Sequence, residues 1–267
     1  MANLVAVDNQ SHLTTRVDPD KSELHGQGQH LLPVVMSEFT QVGLQYPIVL
    51  TKKGDTGQFI FAAMLGFEAG ENLFWQNETW QGVYLPLQIR RQPFFVEKSV
   101  EKRVQKNAGS DSDTGGEDGD YIVCMDTSSP TICFDVSAGI CADSDSGDSS
   151  EKGLPLFDKT GRDSEYFLQV KECLSQLLTG ELDNQKLLEH LQAMDLLQSM
   201  TLDITFENQQ SRKITGLYTI DQQKLAKLTD EQVLTLHKSG LFAPIYTFIA
   251  SQGQIHNLID LKNKQLA

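Results

Sequence analysis

Apolar and polar positions alternate along the first half of the chain and recur at helical spacing along the second. Residues 46–52 and 58–65 read as two strands, and Gly54-Asp55-Thr56-Gly57 between them supplies the turn residues of a hairpin. Residues 72–76 read as a third strand. Residues 83–100 mix β-branched and aromatic side chains with two prolines and are expected to be extended at least in part. Residues 121–125 and 131–136 read as a strand pair joined by Ser128-Ser129-Pro130.

From Asp163 the period becomes helical. Phe167, Val170, Leu174, Leu177 and Leu178 share one face, and Gly180 is expected to end that helix. Leu187, Leu188, Leu191, Met194 and Leu197 make a second helix. Leu202, Ile204 and Phe206 alternate as a strand, with residues 214–220 as its hairpin partner. Thr229 and Gln232 form a capping box ahead of Val233, Leu234 and Leu236, and Gly240 closes that helix. Helices over 242–251 and 254–264 follow. Near the N-terminus, Ser37 is expected to cap a short helix that ends near Gly43. The fold class is therefore α+β, with an antiparallel sheet formed mainly by the first half and helices concentrated in the C-terminal half. Residues 1–30 are a polar, extended lead-in, and residues 31–267 are expected to form a single domain.

The formal charge of −14 changes this picture only locally. Between Asn107 and Lys152 there are eleven acidic residues and one basic residue, a balance of −10, which leaves −4 for the rest. Residues 107–120 and 142–152 are nearly all Gly, Ser, Thr, Asp and Glu. They read as flexible acidic loops, because they cannot bury enough apolar surface to offset the entropy of ordering. The charge argues against nucleic acid and anionic membrane as partners. No apolar run reaches the ~18 residues of a membrane span, and no signal-peptide pattern opens the chain, so the expected compartment is the cytoplasm, with export by a signal-independent route as the alternative.

Candidate chemistry is sparse. There is no G-x-S-x-G, H-E-x-x-H or phosphate-loop motif, and His12, His25, His30, His190, His237 and His256 are too scattered for a helical metal pair. Cys124, Cys133, Cys141 and Cys173 form no C-x-x-C pair; buried thiols are expected, with a disulfide or redox role as the alternative. Asp111 and Asp143 each open an EF-hand-like pattern, but Ile122 and Leu154 stand where the closing glutamate belongs. No metal or cofactor is expected. The densest feature is aromatic and basic: Trp75, Trp80, Tyr84, Arg90 and Arg91. A guanidinium beside aromatic rings suits capture of a carboxylate, so these five are the candidate ligand-binding residues, for a peptide or small anion. The competing account is a core packed around two tryptophans, with internally paired arginines. A division is expected, one arginine structural and the other facing a cleft lined by Trp75, Trp80 or Tyr84.

In this stretch the sequence resembles the SapC family. The matching pieces include Leu32-Pro33-Val34-Val35 with Ser37-Glu38-Phe39, Tyr46-Pro47-Ile48-Val49, Gly70-Glu71-Asn72-Leu73-Phe74, Tyr84-Leu85-Pro86 and Arg90-Arg91-Gln92-Pro93-Phe94. Later pieces are Leu156-Phe157-Asp158, Gly216-Leu217-Tyr218 and Gly240-Leu241. The resemblance implies an accessory or binding protein linked to bacterial surface-layer or other exported polypeptides. A second class stays open: an uncharacterised enzyme, or a partner acting on peptides beside a halogenase-like oxidative enzyme. The resemblance carries over no catalytic residue and does not give the oligomeric state.

Overall fold

The computed structural model describes residues 3–98, 121–133 and 153–267. The acidic tracts, both calcium-like patterns and Cys141 lie wholly or largely outside them. In chain order the elements are β1 (Leu4–Ala6), β2 (Arg16–Val17), a 3-10 helix (Pro19–Gly26), β3 (Leu31–Pro33) and a 3-10 turn (Met36–Glu38) leading into α1 (Phe39–Gly43). Next come β4 (Ile48–Lys52), β5 (Phe59–Met64), β6 (Trp75–Gln76), β7 (Thr79–Trp80), α2 (Leu87–Arg90), β8 (Phe94–Lys98), β9 (Tyr121–Asp126), β10 (Ile132–Cys133) and β11 (Leu154–Pro155). The C-terminal part holds α3 (Glu165–Ala193), β12 (Leu197–Thr205), β13 (Ser211–Ile220), α4 (Gln222–Leu225), α5 (Asp230–Lys238), α6 (Phe242–Ser251) and α7 (Gln254–Leu266). The class is α+β, with antiparallel strand pairs and the longer helices in the C-terminal half.

The contacts divide the chain into two compact units. The first comprises Met1–Lys21 and Arg91–Leu174. It holds two three-stranded sheets, β1-β9-β8 and β10-β2-β11. Its core is built from Val17, Phe94, Met125, Leu156, Phe157 and Phe167, all buried. The N-terminal segment thus supplies the central strand of one sheet and an edge strand of the other. This is why the expected pairing of 121–125 with 131–136 is not formed: β9 pairs with β1 and β8, and β10 pairs with β2. Asp126 closes the intervening turn, accepting from the Ser128 amide at 3.0 Å and hydroxyl at 2.6 Å. Residues 134–136 lie outside the described residues.

The second unit comprises Ser22–Arg90 and Ser175–Ala267. Its sheet has the order β12-β13-β4-β5-β3, with all neighbours antiparallel. The β4–β5 and β12–β13 hairpins follow the alternation in the sequence. They are joined by two pairs, Leu217↔Thr51 and Tyr218↔Leu50. Phe61 of β5 meets Phe39 of α1 edge-on at 5.1 Å and Phe248 of α6 at 5.8 Å, which places both helices on the sheet. Ser251 closes that contact, accepting from the Ile48 amide and donating to the Phe248 carbonyl. At α5 the capping box is formed as read: the Thr229 hydroxyl accepts from the Gln232 amide, and the Gln232 side chain accepts from the Thr229 amide. Gly240, at φ 68°, closes the helix.

Three element readings need correction. Ser37 lies inside the 3-10 turn and does not cap α1; the Glu38 carboxylate receives the Val35 amide instead. Asn72 to Phe74 is a turn, because the Asn72 side-chain oxygen accepts from the Phe74 amide, and only Trp75–Gln76 is strand. Gly180 does not end a helix; α3 runs through it as one 29-residue element. There glycine serves close approach. A Cβ on Gly180 would stand 2.6 Å from the Val35 Cβ, and one turn later buried Asn184 grips the same segment. Its amide donates to the Val34 carbonyl at 2.9 Å, and its oxygen accepts from Met36 N at 2.8 Å.

Gly180→Ala should therefore destabilise the protein. Overpacking costs about 1–3 kcal/mol and outweighs a helix-propensity gain of about 1 kcal/mol. Urea unfolding should show a net loss of up to about 2 kcal/mol. A gain in stability would show that α3 and the 34–36 segment are free to separate.

Candidate functional site

The aromatic segment is held to the sheet by a carboxylate. Glu38 follows two buried valines, so the turn carries its side chain inward, and the residue is only 2% exposed. One oxygen accepts from Val35 N at 3.2 Å; the other accepts from Leu87 N at 3.0 Å and from the Tyr84 hydroxyl at 2.9 Å. Burial pushes the Glu38 carboxyl above its ordinary range, and the Leu87 and Val35 amides, the Tyr84 hydroxyl and the Arg90 charge only partly offset this. The Tyr84 phenol is raised as well, first by burial and then by Glu38.

A second hydroxyl continues the network. Tyr46 donates to the Tyr84 carbonyl at 2.6 Å and accepts from the Trp80 indole N–H at 3.1 Å. Burial pushes its phenol up to about 12. Trp80 is wedged between glycines. A Cβ on Gly26 would lie 2.6 Å from the indole ring, and one on Gly82 would lie 2.4 Å from the indole nitrogen and 1.9 Å from the Tyr46 hydroxyl. The Trp80 amide donates to Glu23 at 2.9 Å. Gln45 adds a further tie, accepting from Val83 N at 2.8 Å.

The five candidate residues therefore differ in setting. Trp80 is buried, and Tyr84 is half-buried with its hydroxyl bound to Glu38. Trp75 is half-buried and pairs with Trp80 across the β6–β7 ribbon. Asn77 and Glu78, at φ 51° and 62°, make the tight turn of that ribbon. Arg90 is exposed at the end of α2, with its charge beside Glu38 and Tyr84. Arg91 belongs to the other unit. Its guanidinium donates to the Phe94 carbonyl at 2.7 Å and lies 4.3 Å from the centre of the Phe95 ring. Burial lowers its pKa.

Sequence reading missed Glu38 and Tyr46. The available signals were an acidic residue between apolar positions, in Val34-Val35-Met36-Ser37-Glu38-Phe39, and a tyrosine directly before Pro47.

Among the described residues, no three His, Cys, Asp or Glu side chains converge as a metal site would require. Among the described residues, Cys124, Cys133 and Cys173 form no disulfide. A polar cleft of about 350 Å³ opens in the second unit beside Gln198, Thr219, Asp221 and Gln252. Three of its groups have partners: Asp221 caps α4, and Gln252 bonds Thr219. No helix among the described residues is long and apolar enough to cross a membrane.

A model of the SapC family matches residues 7–258 of this chain, and the chain belongs to that family. No curated protein and no solved structure matches it.

The Glu38 network yields a stability prediction. Glu38→Ala leaves two buried amides and a phenol without their acceptor and should cost about 3 kcal/mol or more. Glu38→Gln keeps one acceptor and should cost less. The folded-state pKa is raised, so between the unfolded and folded values the native state holds the extra proton. The contribution of Glu38 is thus largest at low pH and falls as pH rises through that window. Urea unfolding of the wild type and Glu38→Gln, from below the ordinary glutamate range to neutrality, should show a difference that narrows with rising pH. A constant difference would mean that the carboxyl titrates alike in both states.

Proposed function

We propose that this SapC-family chain is an accessory protein that binds a polypeptide, of the surface-layer or otherwise exported kind, through a carboxylate held at Arg90 beside Trp75 and Tyr84. The observation that carries the reading is the contrast between two adjacent arginines. Arg91 is committed to Phe94 and Phe95 within its own unit. Arg90 is exposed, with its charge beside Tyr84.

Electrostatics bear on this use of Arg90. Its charge lies beside Glu38, whose carboxyl burial pushes above its ordinary range. An incoming carboxylate would meet a charge that is only partly compensated. The tethers from Glu38, Tyr46 and Gln45 fix the aromatic segment before binding, so little ordering entropy is lost on contact. A polypeptide would present the carboxylate at its C-terminus or on an acidic side chain, with neighbouring apolar groups against Trp75.

Titration of synthetic peptides with a free C-terminal carboxylate, and of their amidated forms, tests this. Fluorescence of Trp75 and Trp80 is the readout. The free-acid peptides should bind, and Arg90→Ala should weaken them about tenfold or more, the worth of one charge-assisted contact. That variant should still fold, with a small loss of stability from the missing charge beside Glu38 and Tyr84. Arg91→Ala should lower stability by about 1–3 kcal/mol and leave the affinity of the folded fraction unchanged. Equal binding by acid and amide forms, or an Arg90→Ala variant of undiminished affinity, would end this reading.

A further inference from the structure

The two edges of the five-stranded sheet are treated differently. At one edge β3 has three residues and ends in Pro33, so it offers little ladder to a further strand. At the other edge β12 has nine residues, Leu197-Gln198-Ser199-Met200-Thr201-Leu202-Asp203-Ile204-Thr205. It contains no proline and no lysine, and Asp203 is its only charge. Among the described residues, β13 is its only partner.

A bulge often blunts such an edge, but here it lies on the inner strand. Met200 pairs with Leu217, and Leu202 with Ile214. Two steps along β12 thus match three along β13, and the extra residue falls at Thr215-Gly216, where Gly216 has φ 79°. The outer strand stays regular over its length, about 30 Å.

We infer that β12 is the contact by which two copies of this chain associate, edge to edge and antiparallel about a two-fold axis through Thr201. The side-chain order is self-complementary in that register. Thr201 faces its own copy, Met200 faces Leu202, Ser199 faces Asp203, and Gln198 faces Ile204. On one face, half-buried Met200 and Leu202 from both strands meet at the axis and extend the apolar rim of each core. On the other face, Ser199 can donate to the Asp203 carboxylate across the contact. No like charges oppose each other, although the chain as a whole carries −14. The five-stranded sheets become one sheet of ten strands, and an isologous contact of this kind closes at two copies.

A charge swap at the axis tests this with a readout that a structural role would not move. Thr201 is exposed, so Thr201→Lys and Thr201→Glu should fold as the wild type does, checked by circular dichroism. Light scattering after size exclusion should give a dimer for the wild type. Each variant alone sets like charges face to face on the axis and should be monomeric. An equimolar mixture of the two should recover the dimer, with mixed pairs seen by native mass spectrometry. A monomeric wild type would overturn the proposal. So would a dimer that survives both variants, or a mixture that stays monomeric.

Discussion

A carboxylate taken out of water has to be given donors, and the second unit is arranged around meeting that demand at Glu38. An ion of this size left unpaired in a protein interior costs several kcal/mol, a large part of a domain's net stability. The donors come from Val35, Tyr84 and Leu87, so satisfying one side chain fixes a segment 46 to 49 positions along the chain. Placing that segment sets the Tyr84 carbonyl for Tyr46, and Tyr46 in turn sets the Trp80 indole. The order in which these groups depend on one another is chemical: the charge first, then the phenols, then the ring. Apolar packing around Trp80 could tolerate small shifts. A set of hydrogen bonds between 2.6 and 3.2 Å cannot.

The same reasoning explains which elements the sequence discloses. The α5 cap is local, because Thr229 and Gln232 bond each other three residues apart, and no distant residue alters that. The β4–β5 and β12–β13 hairpins are nearly as local. Several of the failures involve partners far along the chain. Gly180 resembles a helix terminator until Val35, 145 positions earlier, is seen against it. Strands β9 and β10 look like a hairpin until β1 and β2 arrive to take their edges. The turn at Asn72 is set partly by its side-chain amide, which donates to the Gly26 carbonyl.

The candidate site was half legible for a related reason. Composition located the aromatic and basic stretch, because tryptophan and arginine are conspicuous. It could not assign the individual residues. Arg90 and Arg91 are chemically identical neighbours, and their different settings follow from α2 ending between them. Arg90 is its last helical residue, and Arg91 leads into the strand whose Phe94 carbonyl and Phe95 ring take up its guanidinium. Glycines carried a clearer message than the aromatics did. Gly26 and Gly82 leave room for the Trp80 ring and the Tyr46 hydroxyl, a space that any Cβ would fill. A glycine on each side of one tryptophan is what tight packing of a large ring demands. It puts Trp80 with the supporting structure and leaves Trp75 and Arg90 as the accessible members of the group.

Charge distribution then bears on how such a chain meets a partner. Ten of the fourteen net negative charges lie between residues 107 and 152, and the remaining 221 positions carry about −4. At physiological ionic strength charges are screened within about 8 Å, so local composition governs a contact more than the total does. Around β12 the local composition is close to neutral, with Asp203 set against Lys213 on the neighbouring strand at 3.9 Å. An acidic protein can thus carry a strand edge whose charges are locally balanced. What sets that edge apart is backbone geometry: Pro33 and the shortness of β3 close one edge of the sheet, and the bulge at Gly216 is borne by β13, so the regular edge of β12 stays open.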